Sequence, residues 1–168
     1  LAFRAQEFDP LINRPVVQDL FALTRAVAHP YDRVAWLSIL RAPWCGLTLI
    51  DLNRLCLNDG KSPVWALLND EGRISELSED CKKRAEALIE KMGKAYALSG
   101  RVSKRELIEG LWISLSGPAC VKDGSSMEDA EAFFSLVDEA EKGGGLNLIK
   151  DLEARMEGLY ASHTAEET

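Results

Sequence analysis

The stretch "RAPWCGLTLIDL", Arg41 to Leu52, separates two segments whose apolar residues recur at helical spacing. Pro43 and Gly46 inside it are helix-breaking residues, because proline lacks a backbone N–H and glycine readily leaves the helical conformation. Thr48 and Asp51 then stand three residues apart in a capping pattern, which is typical of a helix N-terminus. The stretch therefore predicts a corner between two helices.

The segments before the corner predict two helices. Pro15 suits a first helical position, where its missing N–H would have no partner anyway, and an apolar face at 3.6-residue spacing follows as far as Val27. This helix is expected to end at His29 and Pro30, because the residue before a proline avoids the helical region. A second helix is predicted over Tyr31–Leu40, and its inward residues are Val34, Leu37 and Leu40.

The segments after the corner are helical in pattern as well. The longest predicted helix covers Ser78–Leu98, and a capping box that begins at Ser103 opens the next one. Ser126 and Asp129 are expected to cap a further helix, and the last helix covers Leu146–Tyr160. The long helix has an inner face formed by Cys81, Ala85, Leu88, Met92 and Ala95 or Tyr96. With about seven or eight helices and short connections, the predicted fold class is all-α.

The N-terminal segment is the exception to the helical pattern. Phe3 and Ala5 alternate with polar residues, as in a short strand. No other segment offers a partner strand, and an isolated strand is not stable. We therefore expect an orphan strand that belongs to a longer protein, and the polar ending "ASHTAEET" agrees with a fragment.

The composition limits the classes of function. The chain has 168 residues, of which 46% are hydrophobic and 28% are charged, as in an ordinary globular domain. Its net charge of −7 argues against a general nucleic-acid coat, since non-specific binding depends on Lys and Arg. No apolar run approaches the roughly 20 residues that span a bilayer, so no membrane partner is expected. The cysteines show no metal-ligand spacing and are expected to be reduced thiols of a cytoplasmic protein: Cys45, Cys56, Cys81 and Cys120.

Catalytic motifs are missing from the sequence. There is no phosphate-binding G-x-x-x-x-G-K-[ST] loop, no H-E-x-x-H and no G-x-S-x-G. The two histidines are His29, which suits the negative end of a helix dipole, and His163, which lies near the C-terminus. Acidic pairs such as Glu79 and Asp80 fall in first helical turns, where they favour the positive dipole end. The chain alone is therefore predicted to be no enzyme and to hold no cofactor or metal.

The corner itself permits two interpretations. A loop that enters a helix presents free N–H groups, which bind anions. Gly46 lets another backbone approach, Thr48 offers a hydroxyl, and Arg41 can hold a phosphate with a planar fork. Trp44 can stack on a sugar or base, or it can fill the corner. From the residues alone the corner is either a phosphate contact or a purely structural turn.

The segment Ala2–Leu52, "AFRAQEFDPLINRPVVQDLFALTRAVAHPYDRVAWLSILRAPWCGLTLIDL", resembles part of the UvrD/Rep-type superfamily 1 DNA helicases. The residues that carry the resemblance are Val16, Val17, Asp19 and Leu20, then His29, Pro30 and Asp32, and then Pro43, Gly46 and Leu47. The segment "RAPWCGL" is most similar to the exonuclease V branch, the RecB/AddA-like helicase–nucleases. The later helices agree with the family only in being α-helical.

The resemblance implies a domain arrangement. Residues 1–28 would form the edge of the second RecA-like domain, as a strand and a helix. Residues 29–161 would form the α-helical 2B-like subdomain, an insertion in that domain, and residues 162–168 a polar tail. The ATP-binding and translocation residues of the family lie outside this chain, so ATP and Mg²⁺ would belong to the parent helicase, a hydrolase of DNA repair or recombination.

The resemblance also implies partners. The 2B subdomain of the family contacts duplex DNA through a Gly-Ile-Gly turn, which matches Gly46, Leu47 and Thr48 here. Thr48 replaces the second glycine, and its Cβ limits how closely a phosphate can approach the backbone. Arg41 and Trp44 flank the turn and complete the predicted DNA-binding set. The implied partners are therefore double-stranded DNA and the rest of the helicase chain.

An alternative function is a protein-interaction module. A helical insertion of this kind can dock a partner subunit, as multi-subunit exonuclease V complexes require. Large aromatic residues would anchor such a contact if they were exposed. The candidate anchors are Trp65, Trp112, Phe133 and Phe134. A large exposed apolar patch away from the corner would favour this function.

Overall fold

The computed structural model describes the backbone of residues 10–166 and the side chains of residues 10–158. Within that part the chain is all-α and holds nine α-helices: α1 (Pro15–Ala28), α2 (Arg33–Arg41), α3 (Leu49–Leu55), α4 (Val64–Leu68), α5 (Glu71–Ser75), α6 (Glu79–Leu98), α7 (Lys104–Ser114), α8 (Gly124–Lys142) and α9 (Leu148–Glu166). The all-α class is confirmed. The predicted orphan strand lies outside the described residues.

The first helix is the centre of the structure. α1 begins at Pro15 as predicted, and it packs against α2, α6, α7, α8 and α9. Its fully buried residues are Val17, Leu20, Leu23 and Ala26. They belong to one hydrophobic cluster that extends from Leu11 to Met156. The predicted domain boundary between residues 28 and 29 concerns the parent protein and stays a prediction. In this chain, residues on both sides of that boundary belong to one hydrophobic core.

The link between α1 and α2 is held by charge. Asp32 caps α2 by accepting a hydrogen bond from the Ala35 N–H at 3.1 Å, and its other oxygen lies 2.8 Å from Arg25 Nη2. His29 ends α1, as predicted, and its N–H donates to the Arg25 carbonyl. The histidine and aspartate of this link thus have structural roles at two helix ends.

The long helix α6 follows the sequence pattern closely. Its predicted inner residues are all buried: Cys81, Ala85, Leu88, Met92 and Ala95. Tyr96 is half-buried, and its hydroxyl donates to the Ala26 carbonyl at 2.9 Å, which ties α6 to α1. Trp65 lies between Tyr96 and Trp36, with ring centroids 5.3 and 5.4 Å away. An aromatic row therefore fills the space between α2, α4 and α6.

Two local predictions were wrong. Val34 is 66% exposed, and the buried residues of α2 are Ala35, Trp36, Ile39 and Leu40. Val34 and Trp36 point about 200° apart on a helix, so one of them must face solvent, and Trp36 buries the larger apolar surface. The start of α8 also differs, because Asp123 is its N-cap and accepts from the Ser126 N–H at 2.7 Å.

Candidate nucleic-acid interface

The corner between α2 and α3 is a tight turn closed by backbone hydrogen bonds. The N–H groups of Cys45 and Gly46 both donate to the Ala42 carbonyl, at 2.9 and 2.8 Å. The Leu47 N–H donates back to the Leu40 carbonyl at 2.9 Å. Gly46 has a φ of +63°, a left-handed conformation that costs a residue with a Cβ about 1 kcal/mol or more. The turn therefore requires a glycine at this position.

The buried carboxylate of Asp51 fixes the start of α3. The side chain accepts hydrogen bonds from the Ser78 N–H at 2.9 Å, from the Ser78 hydroxyl at 2.7 Å and from the Thr48 hydroxyl at 3.0 Å. Arg54 Nη1 lies 3.2 Å from Oδ1, the oxygen that also accepts from the Ser78 N–H. Asp51 thereby joins the first turn of α3 to the first turn of α6.

The surroundings of Asp51 keep it ionised. Burial alone would raise its pKa, but hydrogen bonds from the Cys81 thiol, from Ser78 and from Thr48 hold the pKa well below its usual range. The negative charge therefore already occupies the anion position that the start of α3 offers. The Thr48 hydroxyl is also engaged, because it accepts from the Asp51 N–H at 3.1 Å and donates to the Asp51 carboxylate.

The structure separates the five predicted DNA-binding residues by exposure. Arg41 is exposed and forms no hydrogen bond or ion pair with the described residues, whereas Thr48 is exposed but internally bonded. Trp44 and Gly46 are half-buried, and Trp44 packs against the core. Leu47 is only 3% exposed, so its side chain belongs to the core. Arg41 is thus the member of the set whose side chain is available to a partner.

Two further arginines stand at the corner, and the sequence did not single them out. Arg84 of α6 donates from Nη1 to the Cys45 and Gly46 carbonyls, at 3.3 and 3.4 Å, and its Nη2 lies 2.9 Å from Asp80. Arg54 extends from α3 and is half exposed. We refer to Arg41, Arg54 and Arg84 as the corner arginines. Arg84 lies on α6, 38 residues after Gly46 in the sequence, so no local pattern could have placed it at the corner.

The corner carries guanidinium groups beside a buried thiol. Burial raises the pKa of the Cys45 thiol to about 12, so this thiol is neutral at physiological pH. Among the residues that the structure describes, no three histidine, cysteine or acidic side chains are grouped as metal ligands. Guanidinium groups, by contrast, match the geometry of phosphate oxygens. Arg54 and Arg84 are paired with Asp51 and Asp80, so Arg41 is the corner arginine whose charge is not offset by a partner among the described residues.

Three of the four aromatic anchors proposed for a partner protein are buried, and the fourth, Trp65, is half-buried. Trp112, Phe133 and Phe134 are at most 3% exposed, and Trp65 packs within the aromatic row. The exposed large apolar side chains in the described part are others: Tyr31, Val34, Leu49, Ile50, Leu57, Leu98, Ile113, Met127 and Leu146.

An apolar groove lies between α6 and α7, on a different part of the molecule from the corner. Its volume is about 370 Å³. Most of its apolar lining comes from Ala95, Leu98, Val102, Leu107 and Leu111. Lys91, Lys94 and Glu106 are the charged residues among those that line it. Leu98 at one end is 47% exposed, so the groove presents apolar surface to a partner.

Comparisons with known proteins found no match to the chain, whether among family models, curated proteins or solved structures. The resemblance to the helicases therefore rests on the residues of Ala2–Leu52. Over residues 10–166, no helix combines the length and the apolar character needed to cross a membrane.

Proposed function

We propose that the chain is a non-catalytic, helical module of an ATP-dependent DNA helicase, and that its corner contacts duplex DNA. The parent would be a cytoplasmic helicase or helicase–nuclease of the exonuclease V type that acts in DNA repair or recombination. ATP and Mg²⁺ would be bound by other parts of that parent. The module would hold duplex DNA near the fork and so regulate unwinding.

The observation that carries this proposal is the group of corner arginines around the Gly46 turn. The helicase resemblance assigns the duplex contact to this turn, which Arg41 flanks in sequence and which Arg84 contacts from α6. Arg41 has no partner among the described residues, and Arg84 holds the Cys45 and Gly46 carbonyls. A phosphate on this surface would meet planar donors, which bind phosphate oxygens in pairs.

The contact would depend on side chains and not on the helix dipole. The ionised Asp51 already neutralises the start of α3, and the Thr48 hydroxyl is used within the fold. The net charge of −7 gives no long-range attraction to DNA. We therefore expect the isolated chain to bind duplex DNA weakly, through contacts made by Arg41 and Arg84.

The test is a fluorescence anisotropy titration of a labelled DNA duplex with the wild type, Arg41→Ala and Arg84→Ala. Arg101→Ala is the matched control, because Arg101 is also exposed but lies beyond the far end of α6, about 20 Å along the helix from Arg84. The proposal predicts weaker binding by both corner variants and unchanged binding by the control. Equal loss in all three variants would contradict it.

The helicase parent has a separate test, which is the reading frame on either side of the chain. The proposal predicts a G-x-x-x-x-G-K-[ST] loop upstream and a further helicase motif soon after Thr168. A start codon just before Leu1 and a stop codon after Thr168 would contradict the helicase assignment. In that case the corner would be a structural turn.

A second candidate function is the docking of a partner subunit in the groove between α6 and α7. It is favoured by the exposed apolar surface at Leu98, which lies away from the corner. The test is co-purification with the partner subunit of a helicase–nuclease complex, comparing Leu98→Asp with Leu146→Asp. Leu146 is fully exposed and lies outside the groove, so only Leu98→Asp should abolish the complex.

A further inference from the structure

The groove between α6 and α7 has two distinct ends, because the helices that form it are antiparallel neighbours. Only residues 99–103 join the C-terminus of α6 to the N-terminus of α7, and a connection this short places two helices side by side in opposite directions. Leu98 and Glu106 therefore lie toward the connected end of the groove. Lys91 and Gly110 lie toward the open end, about 10 Å away along α6.

The two ends of the groove carry opposite charges that have no partner in the described part of the chain. Lys91 and Glu106 both line the groove, and neither side chain forms an ion pair or a hydrogen bond with the described residues. Glu90, the acid next to Lys91, lies 2.6 Å from Lys94 Nζ, so these two charges offset each other. The groove is therefore basic at its open end and acidic at its connected end.

The two ends also differ in shape. At the open end, a Cβ added at Gly110 would meet nothing within 4 Å, so there is free space above this glycine. At the connected end, Leu98 is 47% exposed and presents an aliphatic side chain to solvent. Covering such a side chain with another apolar surface is favourable. Ile113 lies one turn after Gly110, is 57% exposed and extends the apolar surface at the open end.

We propose that the groove binds a second copy of this chain, in a two-fold symmetric dimer in which the two grooves lie antiparallel. This arrangement places Leu98 of each copy over Gly110 of the other copy. It also places Glu106 of each copy near Lys91 of the other copy. Every contact across a two-fold axis occurs twice, with the two residues exchanged between the copies. The groove meets this requirement, because its two ends are complementary in both charge and shape.

A second copy supplies every group that the groove requires. An unrelated partner would have to bring an aliphatic side chain and a carboxylate to the open end and a cation to the connected end. The chain itself carries these three groups at the separation of the groove's own ends. Lys94, which also lines the groove, is neutralised by Glu90, so it does not repel its counterpart. The net charge of −7 on each copy opposes association, so we expect a weak dimer.

The inference goes beyond the proposed contact with DNA and does not require it. The groove is also the surface considered above for a partner subunit, and self-association would compete with that subunit for it. The two alternatives give different results. A chain that stays monomeric but loses its partner subunit on Leu98→Asp would overturn the dimer and leave the docking of the subunit standing.

The test is sedimentation equilibrium of the wild type and of charge variants, at micromolar to millimolar concentrations. Lys91→Glu and Glu106→Lys each place like charges opposite one another at both ends of the interface, so we expect about tenfold weaker dimerisation in each. The double variant exchanges the two charges and should restore dimerisation to within about threefold of the wild type. Lys83→Glu is the matched control, because Lys83 is exposed on α6 outside the groove.

A second variant tests the shape of the groove independently of its charge. Gly110→Leu fills the space that Leu98 of the other copy would occupy, so the dimer should be lost. The monomer should remain at least as stable in urea, because the Cβ at position 110 has free space and glycine is a poor helix former. Gly93→Leu is the matched control, since a Cβ there also meets nothing within 4 Å and Gly93 does not line the groove.

The dimer is supported if the single charge variants weaken it, the double variant restores it and Gly110→Leu abolishes it. A wild type that is monomeric at millimolar concentration would overturn the inference. So would a dimer that Lys91→Glu and Lys83→Glu weaken equally, a double variant that does not recover, or a Gly110→Leu protein that dimerises like the wild type.

Discussion

Asp51 is the residue on which the corner depends. It accepts four hydrogen bonds or ion pairs from Thr48, Ser78 and Arg54, and it connects α3 to α6 across 27 residues of sequence. The capping pattern of Thr48 and Asp51 was predicted from their spacing and is confirmed. Its long-range partner Ser78 was not predictable, because nothing local indicates which helix start lies beside another.

We predict that Asp51→Ala lowers the free energy of unfolding by about 3 kcal/mol, since it leaves buried donors without an acceptor. Urea denaturation measures this change. Asp80→Ala is the control, because Asp80 lies in the same region and is 74% exposed, and its loss should cost less than about 1 kcal/mol. Equal effects of the two substitutions would contradict the role given to Asp51.

The low pKa of Asp51 also makes the stability of the fold depend on pH. As pH falls below about 4, the unfolded chain takes up the proton first, so the stabilisation by the ionised carboxylate is lost progressively below that pH. Above pH 4 its contribution is constant. The difference in stability between the wild type and Asp51→Ala should therefore shrink in acid.

Asp19 is expected to behave in the opposite way. Burial raises its pKa to about 6, so the folded state favours the protonated form, and the wild type loses stability as pH rises from about 4 through 6. We predict that Asp19→Asn is more stable than the wild type by about 1–2 kcal/mol at pH 7 and is no more stable at pH 4. Urea denaturation at both pH values tests this, and a pH-independent difference would contradict it.

Gly46 combines a left-handed backbone conformation with a close neighbouring side chain. We predict that Gly46→Ala lowers the free energy of unfolding by roughly 1–2 kcal/mol, because φ is +63° and the new Cβ would lie 2.9 Å from Arg84 Nη1. Gly60→Ala is the matched control, since nothing lies within 4 Å of a Cβ there. Thermal unfolding of both variants measures the difference, and an equal cost at the two glycines would contradict it.

At the scale of helices, the sequence pattern predicted most boundaries and the inner face of α6. It failed where packing decides between two possibilities. Val34 was expected inside α2, but the larger Trp36 occupies the buried face. The short helix α5 was not predicted, although Asp70 caps it by accepting from the Gly72 N–H.

The interior of α6 offers a test of helix propensity. We predict that Gly93→Ala stabilises the protein by about 1 kcal/mol, because glycine is a poor helix former and a Cβ at Gly93 meets nothing within 4 Å. Gly117→Ala should destabilise it, because a Cβ there would overlap the Trp112 indole. Thermal unfolding compares the two, and stabilisation at both positions would contradict the tight packing of Trp112.

At the scale of the whole molecule, the all-α class was predictable, but the groupings of distant residues were not. Arg41 and Gly46 were predicted as site residues from one continuous stretch. Arg84 reaches the same turn from α6, and residues of α6 and α7 together line the apolar groove. Such groupings depend on how helices pack, and helical periodicity alone does not determine which helices are neighbours.

If the corner arginines contact DNA phosphates, they release counterions from the DNA, so the affinity depends on salt concentration. Each phosphate contact contributes about 0.9 to the slope of log affinity against log salt concentration on duplex DNA. A variant that loses a contact therefore binds with a shallower slope as well as a lower affinity. This property separates a phosphate contact from a general loss of folding.

The measurement that tests the claim most directly is the salt dependence of duplex affinity for wild type, Arg41→Ala and Arg101→Ala. The corner contact predicts a slope that is smaller by about 1 in Arg41→Ala and unchanged in Arg101→Ala. The same slope in all three proteins would contradict a contact between the corner and duplex DNA.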